Sequence, residues 1–144
     1  MSAAIFLALV ISVHDGDTLR VRTGPGTSQS IRIAHIDAPE ISQDWGCVSS
    51  HSLRTLCLGK IARVQPLTID RYGRTVADVR CNKTDASHHQ IERGMAWVFE
   101  KYEPGASPIY ATQARAQRHR RGLWFSADPT PPWQWRHQKA NHTK

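Results

Sequence analysis

A strand that has to stop on two acids constrains this chain more than any other feature. Residues 31–40 read IRIAHIDAPE. Ile31, Ile33 and Ile36 are branched aliphatics of the kind strands favour, and Pro39, with a fixed φ and no N–H to donate, ends the run. The spacing predicts a strand that finishes near Asp37. Alternation sends Arg32 and Ala34 to the face opposite Ile31 and Ile33, so the guanidinium leaves the aliphatic side and the following turn carries Asp37 and Glu40 back towards it. Taken alone, a cation beside two acids at a strand end reads equally well as an ordinary surface ion pair.

Two more stretches repeat the pattern. His14-Asp15-Gly16-Asp17-Thr18 places two acids around a glycine, between the apolar run 8–13 and the strand-like Leu19-Arg20-Val21-Arg22. This predicts a tight hairpin with carboxylates at its tip. Asp70-Arg71-Tyr72-Gly73-Arg74 does the same with cations, between 63–69 and 75–79. Three corners therefore carry Asp17, then Arg32, Asp37 and Glu40, then Arg74. With DGDT, R, DAPE and DRYGR standing in this order, the chain resembles the staphylococcal nuclease (thermonuclease) family from about Leu9 to Trp124. The segment GLWFSADPTPPWQWR is also similar to that of many bacterial members.

A length of 144 residues suits one domain with a real core. With 19 Lys and Arg against 12 Asp and Glu, the formal charge is +7. That suits a polyanionic partner, although basic proteins of this size also bind acidic membranes. The 3 cysteines, Cys47, Cys57 and Cys81, form no CxxC pair and support neither a zinc site nor a disulfide framework. Cys57 falls in the apolar row of a predicted helix and reads as a buried free thiol; a bridge between Cys47 and Cys81 stays open. The run 3–13 has about the length of a signal-peptide core but lacks a basic leader and a clear cleavage site. It is too short to span a bilayer, and 8–13 is needed as the first strand before Asp15. A buried first strand with a short leader is expected, with a longer natural start bearing an export signal as the alternative.

Residues 8–14, 19–23 and 31–36 predict a three-stranded meander with a polar turn at 24–28. A polar loop at 41–46 leads to a helix over 48–58, with Gly59 where a C-terminal cap belongs. Strands follow at 61–69 and 75–81. A short helix is expected over 85–93, with Thr84 or Asp85 as N-cap, and a last helix over 108–121, stopped by Gly122. Residues 1–136 read as one domain that includes a Pro- and Trp-rich segment at 126–136; the polar tail 137–144 is expected to be disordered. The class is α+β, mainly β: a five-stranded OB-fold-like Greek-key barrel with about three helices. The choice of the OB-fold among small barrels rests on the resemblance.

The resemblance implies a Ca²⁺-dependent nuclease acting on DNA and RNA, with single-stranded or locally melted substrate preferred. It is expected to be a monomer without stable membrane association, and to leave 3′-phosphate ends. Asp17 and Asp37 match the family's carboxylate ligands and Ala38 its carbonyl ligand, hard oxygens of the kind Ca²⁺ takes. Glu40 matches the general base, Arg32 and Arg74 the phosphate-clamping arginines, and Tyr72 and Tyr102 the residues that contact the nucleotide. Glu100 departs from the family's best-known member, which has tyrosine there, and the loop 41–46 is shorter, so affinity or base preference is expected to differ. The bland alternatives are turn chemistry for the aspartates, salt bridges for the arginines and routine barrel packing for the tyrosines. The 8 histidines lack ligand spacing, and no Walker loop, GxSxG or HExxH is present. One rival function is a non-catalytic OB-fold module that binds single strands, for which acids beside phosphate would serve no purpose. Another is an interaction or plasmid-maintenance factor, with PPWQWR as its only local hint.

Overall fold

Strands β1 (Phe6–Asp15), β2 (Thr18–Gly24) and β3 (Thr27–Ile33) form the expected antiparallel meander. The structure, a computed structural model, describes residues 4–142. After β3 come the short strand β4 (Ile36–Asp37), helix α1 (Gly46–Cys57) and the hairpin of β5 (Ile61–Ile69) and β6 (Thr75–Cys81). β5 pairs antiparallel with both β1 and β6. β6 then runs parallel to β3, with Ile31 opposite Thr75 and Ile33 opposite Ala77. That last pairing closes a barrel of five strands and brings the third corner against the second.

The barrel interior is filled by the inward-facing aliphatics of each strand, among them Val10, Leu19, Val21, Ile31, Val64 and Val79. Burying each such side chain contributes roughly 1.5–3 kcal/mol. Beyond the barrel lie β7 (Thr84–Asp85), α2 (Ala86–Glu92), β8 (Trp97–Val98), α3 (Ile109–Arg118), a 3-10 turn at Gly122–Phe125 and α4 (Pro132–His142). Asp85 caps α2 by accepting from the His88 N–H. β8 pairs with β4.

Three expectations need correction. The third strand stops at Ile33 rather than near Asp37, because His35 adopts a left-handed φ of 76° and the chain turns before the two-residue β4. The His35 ring holds that turn, with Nε2 2.8 Å from Asp78 Oδ1 and Nδ1 2.7 Å from Glu103 Oε2. Cys57 is not a free thiol: it is bonded to Cys81, and Cys47 is exposed and free. The turn after α1 lays β5 on β6 with Ala62 opposite Cys81, leaving the two cysteine Cα atoms 5.3 Å apart. Finally, residues as far as His142 are helical where a disordered tail was expected, giving four α-helices among the described residues. Pro132 is preorganised for the first turn of α4. Trp133 secures that turn, stacked at 6.0 Å on Phe99 and edge-on at 5.7 Å to Trp97.

Candidate active site

The hairpin tip between β1 and β2 packs too tightly for any side chain at Gly16. A Cβ there would collide with Ser49 Oγ on α1 and with the Ala38 Cβ beyond β4. Buried Gln90 of α2 donates Nε2 to the Gly16 carbonyl at 2.9 Å and to the Ser49 carbonyl at 3.1 Å, tying the tip to both helices. The first corner then meets the second directly, since the Ala38 N–H donates to Asp17 Oδ2 at 2.7 Å. At the centre lies Arg32. Its Nη1 donates to the carbonyls of Ile33 (2.7 Å) and Ile36 (2.8 Å), so the turn after β3 wraps the guanidinium. Its Nη2 lies 3.5 Å from Asp17 Oδ2 and 3.4 Å from Asp37 Oδ1.

The third corner arrives through the β3–β6 pairing. Asp70 accepts from the N–H groups of Tyr72 and Arg74 and from Arg74 Nε at 2.8 Å, which shapes the turn and orients the arginine. Arg74 Nη1 donates to Thr18 Oγ1 at 3.4 Å, and that hydroxyl donates to Asp17 Oδ1 at 2.8 Å. Asp17, Arg32, Asp37 and Arg74 therefore share one neighbourhood.

Burial dominates the electrostatics. Asp17 and Asp37 are 4% and 1% exposed. Burial alone would raise Asp17, but the Arg32 charge and hydrogen bonds from Asp15, Ala38 and Thr18 hold it below the ordinary carboxylate value. Asp37 is raised, by burial first and by the Asp17 charge, against the pull of Arg136 and Arg32. Asp15, which accepts from the Asp17 N–H at 3.1 Å, is pushed up to about 8 by burial and by Asp17.

Glu40 is half-open to solvent on the loop before α1, and Arg136 of α4 reaches it. Arg136 Nη1 lies 2.7 Å from Glu40 Oε1, and Nη2 lies 2.7 Å from Asp37 Oδ2. Burial works against the Arg136 charge, but these two carboxylates hold it protonated. Tyr72 and Tyr102 flank the cluster, both largely exposed. The Tyr72 ring lies 5.5 Å from the Arg74 guanidinium. Tyr102 stands edge-on at 5.1 Å to Phe99, whose ring lies 5.8 Å from the Arg32 guanidinium.

Sequence reasoning missed the contacts of Arg136 and the pairing of Asp15 with Asp17. The acid was visible within DGD. The only sign of the arginine was its place in the WQWR run.

Asp17 and Asp37 offer two buried carboxylates, hard oxygens of the kind a hard cation takes. Among the described residues no group of three or more His, Cys, Asp or Glu side chains could hold a metal by itself. An ion bound at Asp17 and Asp37 would need backbone oxygen, water or substrate oxygen to complete its shell.

Comparison with known proteins places the chain among nuclease relatives. A sequence model described as "Staphylococcal nuclease homologue" matches residues 30–126. An Escherichia coli O157:H7 protein named "Uncharacterized endonuclease" is 39% identical over 132 residues, which cover 90% of this chain and 84% of that protein. A Haemophilus influenzae protein with the same name is 39% identical over 131 residues, covering 90% of this chain and 72% of that one. A Shigella flexneri protein named "Micrococcal nuclease" is 32% identical over 150 residues, covering 97% and 86% respectively.

Proposed function

Because the chain belongs to the staphylococcal nuclease family and is a hydrolytic nuclease on an OB-fold-like barrel, we propose that it cuts both DNA and RNA, depends on Ca²⁺, and leaves 3′-phosphate ends. The observation that supports this most is the meeting of three distant corners, with Arg32 within 3.5 Å of both Asp17 and Asp37 and Arg74 linked to Asp17 through Thr18.

Asp17, Asp37 and the Ala38 carbonyl are the residues that would hold the cation; when bound, it offsets phosphoryl charge and acidifies water. Arg32 and Arg74 grip the phosphate oxygens. A guanidinium suits that task because it offers forked donors and keeps its charge. Glu40 accepts the proton of the attacking water, and its place at the rim, within reach of solvent, supports that role. Phosphate charge and stacking on Tyr72 and Tyr102 do not read base edges, so sequence preference is weak and unstacked single strands are favoured. The enzyme acts as a monomer.

The test is cleavage of plasmid and single-stranded DNA with Ca²⁺ and then with chelator. Cutting stops in chelator, and Glu40→Gln loses about 10²–10⁴-fold in turnover while keeping its DNA affinity. Cutting that persists in chelator removes the metal from this reading, and tight binding without cutting in either condition favours a binding module.

A further inference from the structure

We infer that Arg136 is a positioning residue of the nuclease site, delivered by the C-terminal helix to orient the Glu40 carboxylate. The inference rests on Glu40 being the base. It makes the segment after residue 126 part of the active site rather than an appendage to it.

The first support is the geometry of the fork. One planar guanidinium gives Nη1 to Glu40 Oε1 at 2.7 Å and Nη2 to Asp37 Oδ2 at 2.7 Å, with Nη1 also 3.2 Å from Asp37 Oδ1. A rigid fork bonded to two acids fixes their separation, which a flexible ammonium does poorly. Glu40 needs such a fix. Its side chain has several rotatable bonds on a loop at the rim, and among the described residues Arg136 is the one side chain that hydrogen-bonds its carboxylate. Asp37 is buried and also bonded to Arg32, so it serves as the fixed end of the bridge.

The second support is that α4 is docked by contacts of its own. Trp133 lies parallel to Phe99 and edge-on to Trp97, and Pro132 is buried. Gln43 extends the attachment to the backbone. Its Nε2 donates to the Thr130 carbonyl at 2.8 Å while its Oε1 accepts from the Glu40 N–H at 3.2 Å. The C-terminal segment thus holds the Glu40 carboxylate directly and its amide by way of Gln43. Phe99, the floor under Trp133, also lies beneath Arg32, so one aromatic platform supports the phosphate clamp and the helix that carries Arg136.

The experiment uses the full chain and steady-state cleavage of a single-stranded oligonucleotide by Arg136→Gln, Arg136→Lys and Arg136→Ala, with Glu40→Gln and the double variant Arg136→Gln/Glu40→Gln. A misplaced base costs rate rather than binding, so Arg136→Gln should lower kcat by about 10–100-fold and leave KM within about threefold. Arg136→Lys should recover part of the rate, and added methylguanidinium should restore part of it to Arg136→Ala. In the Glu40→Gln background, Arg136→Gln should cost less than about threefold, since there is no longer a base to orient.

A kcat for Arg136→Gln equal to or above the unsubstituted enzyme overturns the inference, and an increase makes Arg136 a plug over Asp37. An equal loss in both backgrounds, or a loss that neither lysine nor methylguanidinium relieves, reduces Arg136 to a structural contact and overturns it too. Normal turnover in Glu40→Gln alone sinks the assignment of the base, whereas an inactive Glu40→Gln beside a fully active Arg136→Gln sinks only the inference.

Discussion

Breaking the Cys57–Cys81 bond should cost about 3.5 kcal/mol of stability, nearly all of it through the unfolded state. The cysteines are 24 residues apart in sequence. The chain-entropy relation for a loop of that size gives an entropy loss of about 12 cal/mol/K on cross-linking the denatured chain, hence about 3.5 kcal/mol at 25 °C. Both residues are fully buried at the junction of α1, β5 and β6, and two thiols would occupy almost the volume of the bridge. Little packing is therefore lost in the native state. A chain of 144 residues unfolds with an entropy of about 0.3 kcal/mol/K near its midpoint, so Tm should fall by about 12 °C. The assay compares urea and thermal unfolding of oxidised protein with protein reduced in guanidinium chloride and refolded under reductant. Cys47→Ala in both samples removes the exposed thiol that could exchange with the bridge. The denaturant slope should rise on reduction as the unfolded chain expands. A stability loss below about 1 kcal/mol, or three titratable thiols in unreduced, denatured native-sequence protein, would refute the reasoning.

Two further outcomes follow from the site's supports. His35 is raised to about 9, first by its bond to Asp78, against burial, and then by Glu103. Its stabilising charge is fully present below its unfolded value of about 6.5 and is lost as pH rises through about 9, so stability should decline across that window. The effect should be about 1–2 kcal/mol once linkage is discounted for a ring one-third open to water. Subtracting the urea-unfolding pH profile of His35→Gln isolates it, because Asp15 titrates in both proteins; two parallel profiles would show that the ring does not sense its carboxylates. Gly16→Ala should cost about 1–3 kcal/mol by overpacking and reduce cleavage by shifting Asp17. Adding Ser49→Ala should return part of the melting temperature, and a Gly16→Ala protein that melts with the unsubstituted one would disprove the close approach.

Much of the fold, and the corners that carry the charged residues, was legible in the chain because their signals are local. Glycine between two aspartates, Asp70 before Tyr-Gly-Arg, and Pro39 after a branched run each announce a corner, and alternation tells which strand residues face inward. The meander, the β5–β6 hairpin and the charged residues at each corner follow from those preferences, without reference to distant residues. The His35 turn escaped that reading because its left-handed backbone is held by Asp78 and Glu103, partners from elsewhere in the chain. The Cys57–Cys81 pairing escaped because cysteine spacing says nothing about which helix end lies beside which strand end. Arg136 was hidden for the same reason, 99 residues from Asp37 in sequence. Sequence by itself determined the corners and the charges they carry. Closure of β3 on β6, and the docking of Trp133 on Phe99, decided which of those charges meet. Pairing between strands and stacking between rings depend on separations that exist only once the barrel is shut.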